Sequence, residues 1–179
     1  LKKALALFIT IVSMPAFSAL HLEPYAGFGN YTTTIDAIQG ANSDDYEFDS
    51  KSMTTVGGRI GYSMLLFSAG LDLSMDSLDS GTRTNTGLFV GVDMPILVRA
   101  YAKYLLNSKI EDDDLDDDNI DVSFDSGYVI GVGFTGLPFL SINFEIEKSK
   151  YVYDVTALNQ EVDADWASYT LSVSLPLDL

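Results

Sequence analysis

The chain has 179 residues and a formal net charge of −16, with one histidine and no cysteine. That length suits a single domain, and the missing cysteines exclude disulfides, thiolate metal sites and cysteine nucleophiles together. The acidity excludes nucleic-acid binding, since no basic surface is left to neutralise phosphates.

Residues 1–18 read as a secretory signal peptide. Lys2 and Lys3 precede an apolar stretch from Ala4 to Val12, and a small-residue cleavage site follows at Ala16-Phe17-Ser18, before Ala19. The apolar stretch is shorter than the ~20 residues of a membrane-spanning helix. An uncleaved amphipathic anchor is the alternative. The mature domain is expected at 19–179, exported from the cytoplasm.

Hydrophobic residues make up 47% of the chain, dispersed by alternation rather than gathered in long runs. Eight alternating segments follow in order. His21 to Ile35 sets Leu22, Ala26 and Phe28 against Glu23, Tyr25, Gly27 and Gly29. Met53 to Met64 sets Val56, Ile60 and Tyr62 against Thr55, Gly57, Arg59 and Gly61. Leu66 to Met75 sets Phe67, Ala69, Leu71 and Leu73 against Ser68, Gly70, Asp72 and Ser74. Thr84 to Met94 sets Leu88, Val90, Val92 and Met94 against Gly87, Phe89, Gly91 and Asp93.

Leu97 to Leu106 sets Val98, Ala100, Ala102, Tyr104 and Leu106 against Arg99, Tyr101 and Lys103. Gly127 to Phe134 sets Tyr128, Ile130, Val132 and Phe134 against Val129, Gly131 and Gly133. Leu140 to Ser149 sets Leu140, Ile142, Phe144 and Ile146 against Ser141, Asn143, Glu145 and Glu147. Trp166 to Leu179 sets Tyr169, Leu171, Val173, Leu175, Leu177 and Leu179 against Ser168, Thr170, Ser172, Ser174 and Asp178.

Successive strand side chains point to opposite faces. Every charge inside the cores of these segments falls on the parity rich in small residues. Each segment is close to the ~9–11 residues of a tilted membrane-crossing strand. If the charged parity faced lipid, Arg59, Asp72 and Lys103 would each cost roughly 2–4 kcal/mol near mid-membrane. The expected fold is therefore all-β: an eight-stranded antiparallel up-and-down transmembrane barrel with charges inside and large apolar residues outside.

The connections are expected to alternate. Ser63-Met64-Leu65, Met94-Pro95-Ile96 and Thr135-Gly136-Leu137-Pro138 read as short turns. Ile35 to Ser52, Asp76 to Arg83, Asn107 to Ser126 and Lys150 to Asp165 read as long polar loops. An even strand number puts both termini on the short-turn side.

The signal segment, Gly27-Phe28-Gly29-Asn30-Tyr31, Val56-Gly57-Gly58-Arg59-Ile60-Gly61-Tyr62 and Gly131-Val132-Gly133-Phe134 together resemble the small outer-membrane β-barrel proteins of Gram-negative bacteria, the OmpA/OmpX-like group. The resemblance implies residence in the outer membrane, contact with outer-membrane lipid and lipopolysaccharide, insertion by the barrel-assembly machinery, and a monomer.

Several groups of residues are candidates for function. Glu23, Arg59, Asp72, Asp93, Arg99, Lys103, Glu145 and Glu147 face the interior. Hairpin neighbours suggest Arg59 with Asp72 and Arg99 with Asp93, and Lys103 is within reach of Glu145 or Glu147. They form either an interior salt-bridge network that satisfies buried charge or a narrow polar pathway.

The run containing Asp112, Asp113, Asp114, Asp116, Asp117 and Asp118 has oxygen ligands suited to loosely held Ca²⁺ or Mg²⁺, without EF-hand spacing. It implies no dedicated cofactor. Solvated like charges are the alternative. Phe28, Tyr62, Phe67, Tyr104, Tyr128, Phe134, Phe144 and Tyr169 are expected to face lipid, many as interfacial girdles. Tyr46, Phe48, Tyr151 and Tyr153 read as loop aromatics.

Catalysis has little to draw on, since His21 is the single histidine. Ser172 and Ser174 are within conceivable reach of it but lack a nucleophile motif. The expected function is non-enzymatic: a structural or surface-interaction role through acidic extracellular loops. A small channel for ions or hydrophobic solutes is an alternative on the same fold. A soluble periplasmic lipocalin-like binder is the alternative with inverted faces.

Overall fold

A computed structural model describes residues 18–35, 46–47, 50–112, 120–137, 139–155 and 160–179. Ten strands occur among them: β1 (Ser18–Ile35), β2 (Tyr46–Glu47), β3 (Lys51–Met64), β4 (Phe67–Ser77), β5 (Gly81–Met94), β6 (Val98–Asp112), β7 (Ile120–Leu137), β8 (Leu140–Val155), β9 (Gln160–Ser174) and β10 (Leu177–Asp178). Each long strand pairs antiparallel with its sequence neighbour, and β1 pairs with β9 to close the wall. Eight strands build the barrel. The two-residue strands β2 and β10 add only to the ends of β1.

The register fixes the barrel's size. Starting at Leu20, the pairs run through Tyr62, Ala69, Val90, Ala102, Ile130, Ile146 and Tyr169, then return to β1 at Asn30. The return is displaced by ten residues, which is the shear. With ~3.3 Å rise per residue and ~4.8 Å between strands, this implies a tilt of about 40° and a radius of about 8 Å. A cylinder of that width is filled by its own side chains.

The alternation survives folding. Arg59 is 2% exposed while its outward neighbour on the same hairpin, Tyr62, is 66% exposed. All the outward apolar residues from Phe67 to Met75 on β4, and from Leu140 to Ile146 on β8, lie on the outer wall. Eight residue steps at this tilt give an apolar band about 20 Å tall.

The strands are longer than the sequence pattern suggests, so the connections are shorter. Asp76 and Arg83, expected in a loop, are paired residues of β4 and β5, and only 78–80 join the two strands. β6 and β7 extend to Asp112 and from Ile120, and β8 and β9 extend to Val155 and from Gln160. The alternation of long and short loops is thus weaker than expected. Polar residues at these ends pair as readily as apolar ones, because the ladder is made by backbone hydrogen bonds that are indifferent to the side chain.

Two further differences lie at the ends of the chain. β1 begins at Ser18, one residue before the expected mature start, while residues 1–17 lie outside the described residues. The last segment is not one strand: β9 stops at Ser174, and Pro176, which has no N–H to donate, separates it from β10. The chain end then pairs with β1 through mutual backbone bonds between Leu20 and Leu179, each 2.9 Å. The short-turn rim carries three non-glycine residues with positive φ, Leu65, Leu97 and Phe139, at the reversals between strands.

Candidate functional site

The inward faces of the strands bring the charged residues together in three tiers. At the short-turn rim, Glu23 is the hub. Arg99 Nη1 donates to it at 2.7 Å, Ser174 Oγ at 2.6 Å, and His21 Nε2 lies 3.1 Å away. Arg99 also holds Asp93 at 2.7 Å, and His21 Nδ1 lies 2.9 Å from Asp178.

The middle tier is organised around Arg59. Its guanidinium reaches Glu23 at 3.2 Å, Asp72 at 3.2 Å and Glu145 at 2.6 Å. Lys103 Nζ lies 3.2 Å from Asp72 and 3.0 Å from Glu145. The Tyr25 hydroxyl donates to Asp72 at 3.0 Å and the Tyr101 hydroxyl to Glu145 at 2.7 Å. Both rings also lie against Arg59, with centroids 4.9 and 4.3 Å from Cζ. Glycine makes room for them: a Cβ on Gly57 would meet the Tyr25 ring, and one on Gly131 would meet the Tyr101 ring.

The third tier lies toward the opposite rim, called the far rim below. Arg83 donates to Asp76 at 2.7 Å and to both oxygens of Glu147, at 2.7 and 2.9 Å. Asn85 and Thr55 complete the shell of Asp76 at 2.8 and 2.7 Å. Above this tier sits an aromatic cap. Tyr31 stacks on Trp166 with centroids 4.3 Å apart, Tyr151 meets Trp166 edge-on, and Arg83 lies 4.3 Å from the Trp166 ring.

The charges nearly cancel. Among the described residues, five buried carboxylates (Glu23, Asp72, Asp76, Glu145 and Glu147) face Arg59, Arg83, Arg99, Lys103 and His21. Removing an ion from water is costly unless partners and hydrogen bonds replace the solvent; here each carboxylate has at least two. The space between the middle and upper tiers is a cavity of ≈ 20 Å³, bounded by Lys103, Glu145, Asp76 and Glu147 among others. That is room for about one water.

Lys103, expected within reach of Glu145 or Glu147, lies against Glu145. Glu147 is held by Arg83, which stands on the same tier and forks onto both oxygens. His21 holds two carboxylates, while Ser174 donates to Glu23 instead of approaching the imidazole. Tyr151, expected on a loop, is an inward, 2% exposed member of the cap. Asp76 and Arg83 were missed because their segments were ended one residue too early, at Met75 and Thr84, while Asn85 and Trp166 lay inside theirs but carry no charge to mark them. The inward parity continues through all four, and that was the available signal.

The other candidates are distributed as follows. Phe28, Tyr62, Phe67, Tyr104, Tyr128, Phe134, Phe144 and Tyr169 are all on the outer wall. Tyr62, Phe67 and Phe134 lie toward the short-turn rim. Phe28, Tyr104, Tyr128 and Tyr169 lie toward the far rim, with Phe144 between. Asn30 donates to the Tyr169 hydroxyl at 2.8 Å within the upper group. Residues 113–118 of the acidic run, and Phe48, lie outside the described residues, while Asp112 ends β6. Just before it, the exposed Lys109 donates to Glu111 at 2.6 Å and holds that carboxyl below its usual pKa.

The closed eight-stranded wall has counterparts among solved structures. The structure of Ail, the attachment invasion locus protein of Yersinia pestis, in complex with the heparin analogue sucrose octasulfate, is similar with a TM-score of 0.53 at 10% identity, over 89% of this chain and 99% of that one. The fold is that of the small outer-membrane β-barrels. Neisserial surface protein A aligns with a TM-score of 0.48 at 9% identity, over 88% of this chain and 97% of that one. The outer membrane protein OprG from Pseudomonas aeruginosa aligns at 0.39 and 10% identity, over 91% and 98%. No family model matches the chain, and no curated protein matches it.

Proposed function

We propose that this barrel is an exported, non-enzymatic integral protein of the outer membrane, with a closed charged lumen and a surface-interaction role at its far rim. The observation that carries the reading is the inverted polarity. Arg59, Asp72 and Lys103 are enclosed while Leu, Val, Ile, Phe and Tyr cover the outer wall. A water-soluble binder with an apolar pocket requires the opposite arrangement. An apolar band about 20 Å tall suits the ~25 Å hydrocarbon zone of outer-membrane barrels.

The tiers of ion pairs across the lumen support a plugged barrel over the channel reading, and the cavity between the middle and upper tiers has room for about one water. His21 and Ser174 both serve Glu23, which supports a structural role for them and not a nucleophilic one. The partners in this reading are outer-membrane lipid and lipopolysaccharide, with the barrel-assembly machinery during insertion. Loosely held Ca²⁺ or Mg²⁺ bridges the acidic run to anionic lipid, and the barrel works as a monomer.

The test is cell fractionation with gel migration before and after boiling. The protein is expected in the outer-membrane fraction, with faster migration of the unboiled form. Recovery from the periplasm as a detergent-free soluble monomer rejects the proposal. Discrete conductance steps of the purified protein in a planar bilayer reject the closed lumen alone.

A further inference from the structure

We infer that the upper edges of β6 and β7 form a docking site for an extended basic peptide strand. It rests on the reading that the far rim stands in water, and it gives the surface-interaction role a place and a partner class. The barrel wall is paired to the far rim at its other seams: β8–β9 reach Val155–Gln160, and β1–β9 reach Ile35–Ala164. Between β6 and β7, pairing among the described residues ends at Tyr104–Tyr128. Yet β6 continues on β5 as far as Asp112, and β7 continues on β8 from Ile120.

Both strands carry a bulge where they part. Leu106 is the extra residue on β6, opposite the Thr86–Gly87 step, and Asp125 is the extra residue on β7, between Phe124 and Ser126. A bulge bends its strand, raises its twist and reverses which parity faces inward. In β6 the inward set changes from Arg99, Tyr101, Lys103 and Leu105 to Ser108. Two facing bulges turn the strands apart, so 105–112 and 120–127 each present an edge with backbone donors and acceptors.

The seam suits one kind of occupant. Behind it, Ile110, Val122 and Phe124 pack partly buried against the Tyr31–Tyr151–Trp166 cap, an apolar floor for every second side chain of an added strand. In front, the outward parity of the two edges carries Glu111 and Asp125 against Lys109, and Lys109 is already engaged by Glu111. An incoming strand with basic and apolar residues in alternation satisfies the backbone edges, the floor and the charge at once.

The test uses the full chain refolded in detergent micelles and a fluorescent octapeptide of alternating Lys and Val, read by anisotropy. The controls are a block peptide of the same composition and the alternating peptide N-methylated at every second residue. The alternating peptide is expected to bind at least about tenfold more tightly than either control. It should also slow amide hydrogen exchange of Leu105 to Ile110 and Val122 to Ser126. A proline replacing whichever of residues 122–124 has the fastest-exchanging amide in the free protein, which keeps the charge and loses an edge donor, should lose binding while its gel migration is unchanged.

Equal binding of the block peptide reduces the effect to charge attraction and overturns the proposal. So does slow exchange at both edges in the free protein, which means that the hairpin closes its own seam. A dimer in sedimentation with the edges protected gives the seam to a second copy and overturns the peptide as occupant. Failure of the membrane reading shows instead in fractionation and leaves the titration readable.

Discussion

Arg59→Met tests whether the lumen is held by its central cation. Arg59 is 2% exposed and touches Glu23, Asp72 and Glu145. Methionine keeps much of the volume and removes the charge, leaving Lys103 to compensate Asp72 and Glu145. Removing one partner from a buried ion pair costs about 3–5 kcal/mol, because the remaining charge stays buried and short of partners. With an m-value of about 2 kcal/mol per molar urea, the unfolding midpoint should fall by about 1.5–2.5 M. The assay is urea titration of protein folded into lipid vesicles, read by migration on unboiled gels. Adding Glu145→Gln removes one orphaned charge and should recover part of the loss. A midpoint change below about 0.5 M, or a further drop in the double variant, refutes the view that charge balance holds the interior.

Three further outcomes follow from the same geometry. Ala102→Lys, on the outer wall near mid-band, should cost roughly 2–4 kcal/mol of folding stability in vesicles, whereas Thr54→Lys near the band's far-rim edge should cost about 0–1; equal effects argue against a lipid-facing wall. Gly131→Val puts its Cβ in the Tyr101 ring and should destabilise by about 1–3 kcal/mol. Combined with Tyr101→Leu it should lose less than the sum of the single changes, and strict additivity in the same urea assay contradicts the close approach. Trp166 is the single tryptophan and is buried under Tyr31 and Arg83, so its emission should be blue-shifted and shielded from acrylamide; quenching as fast as free indole means that the cap is open.

How much of this could be read from the sequence follows from period and parity. Alternation with period 2 determines which residues share a face, and the cost of a charge in lipid determines which face points inward. Those two facts were enough for eight strands, antiparallel order, an inward Arg59, Asp72 and Lys103, and an outward Phe28 and Tyr62. What they could not supply is where pairing stops. Asp76, Arg83 and Tyr151 look like loop residues by composition, yet the inward parity runs on through them.

Partners across the lumen were also hidden. Arg83 finds Glu147 from a strand 64 positions away, and that meeting depends on the ten-residue shear, which no single segment contains. The bulges at Leu106 and Asp125 decide where β6 and β7 separate, and a bulge is a property of two strands in register. Alternation belongs to one strand and is written in its residues. Stagger, tilt and seam belong to the closed wall, and exist only once all eight strands have paired.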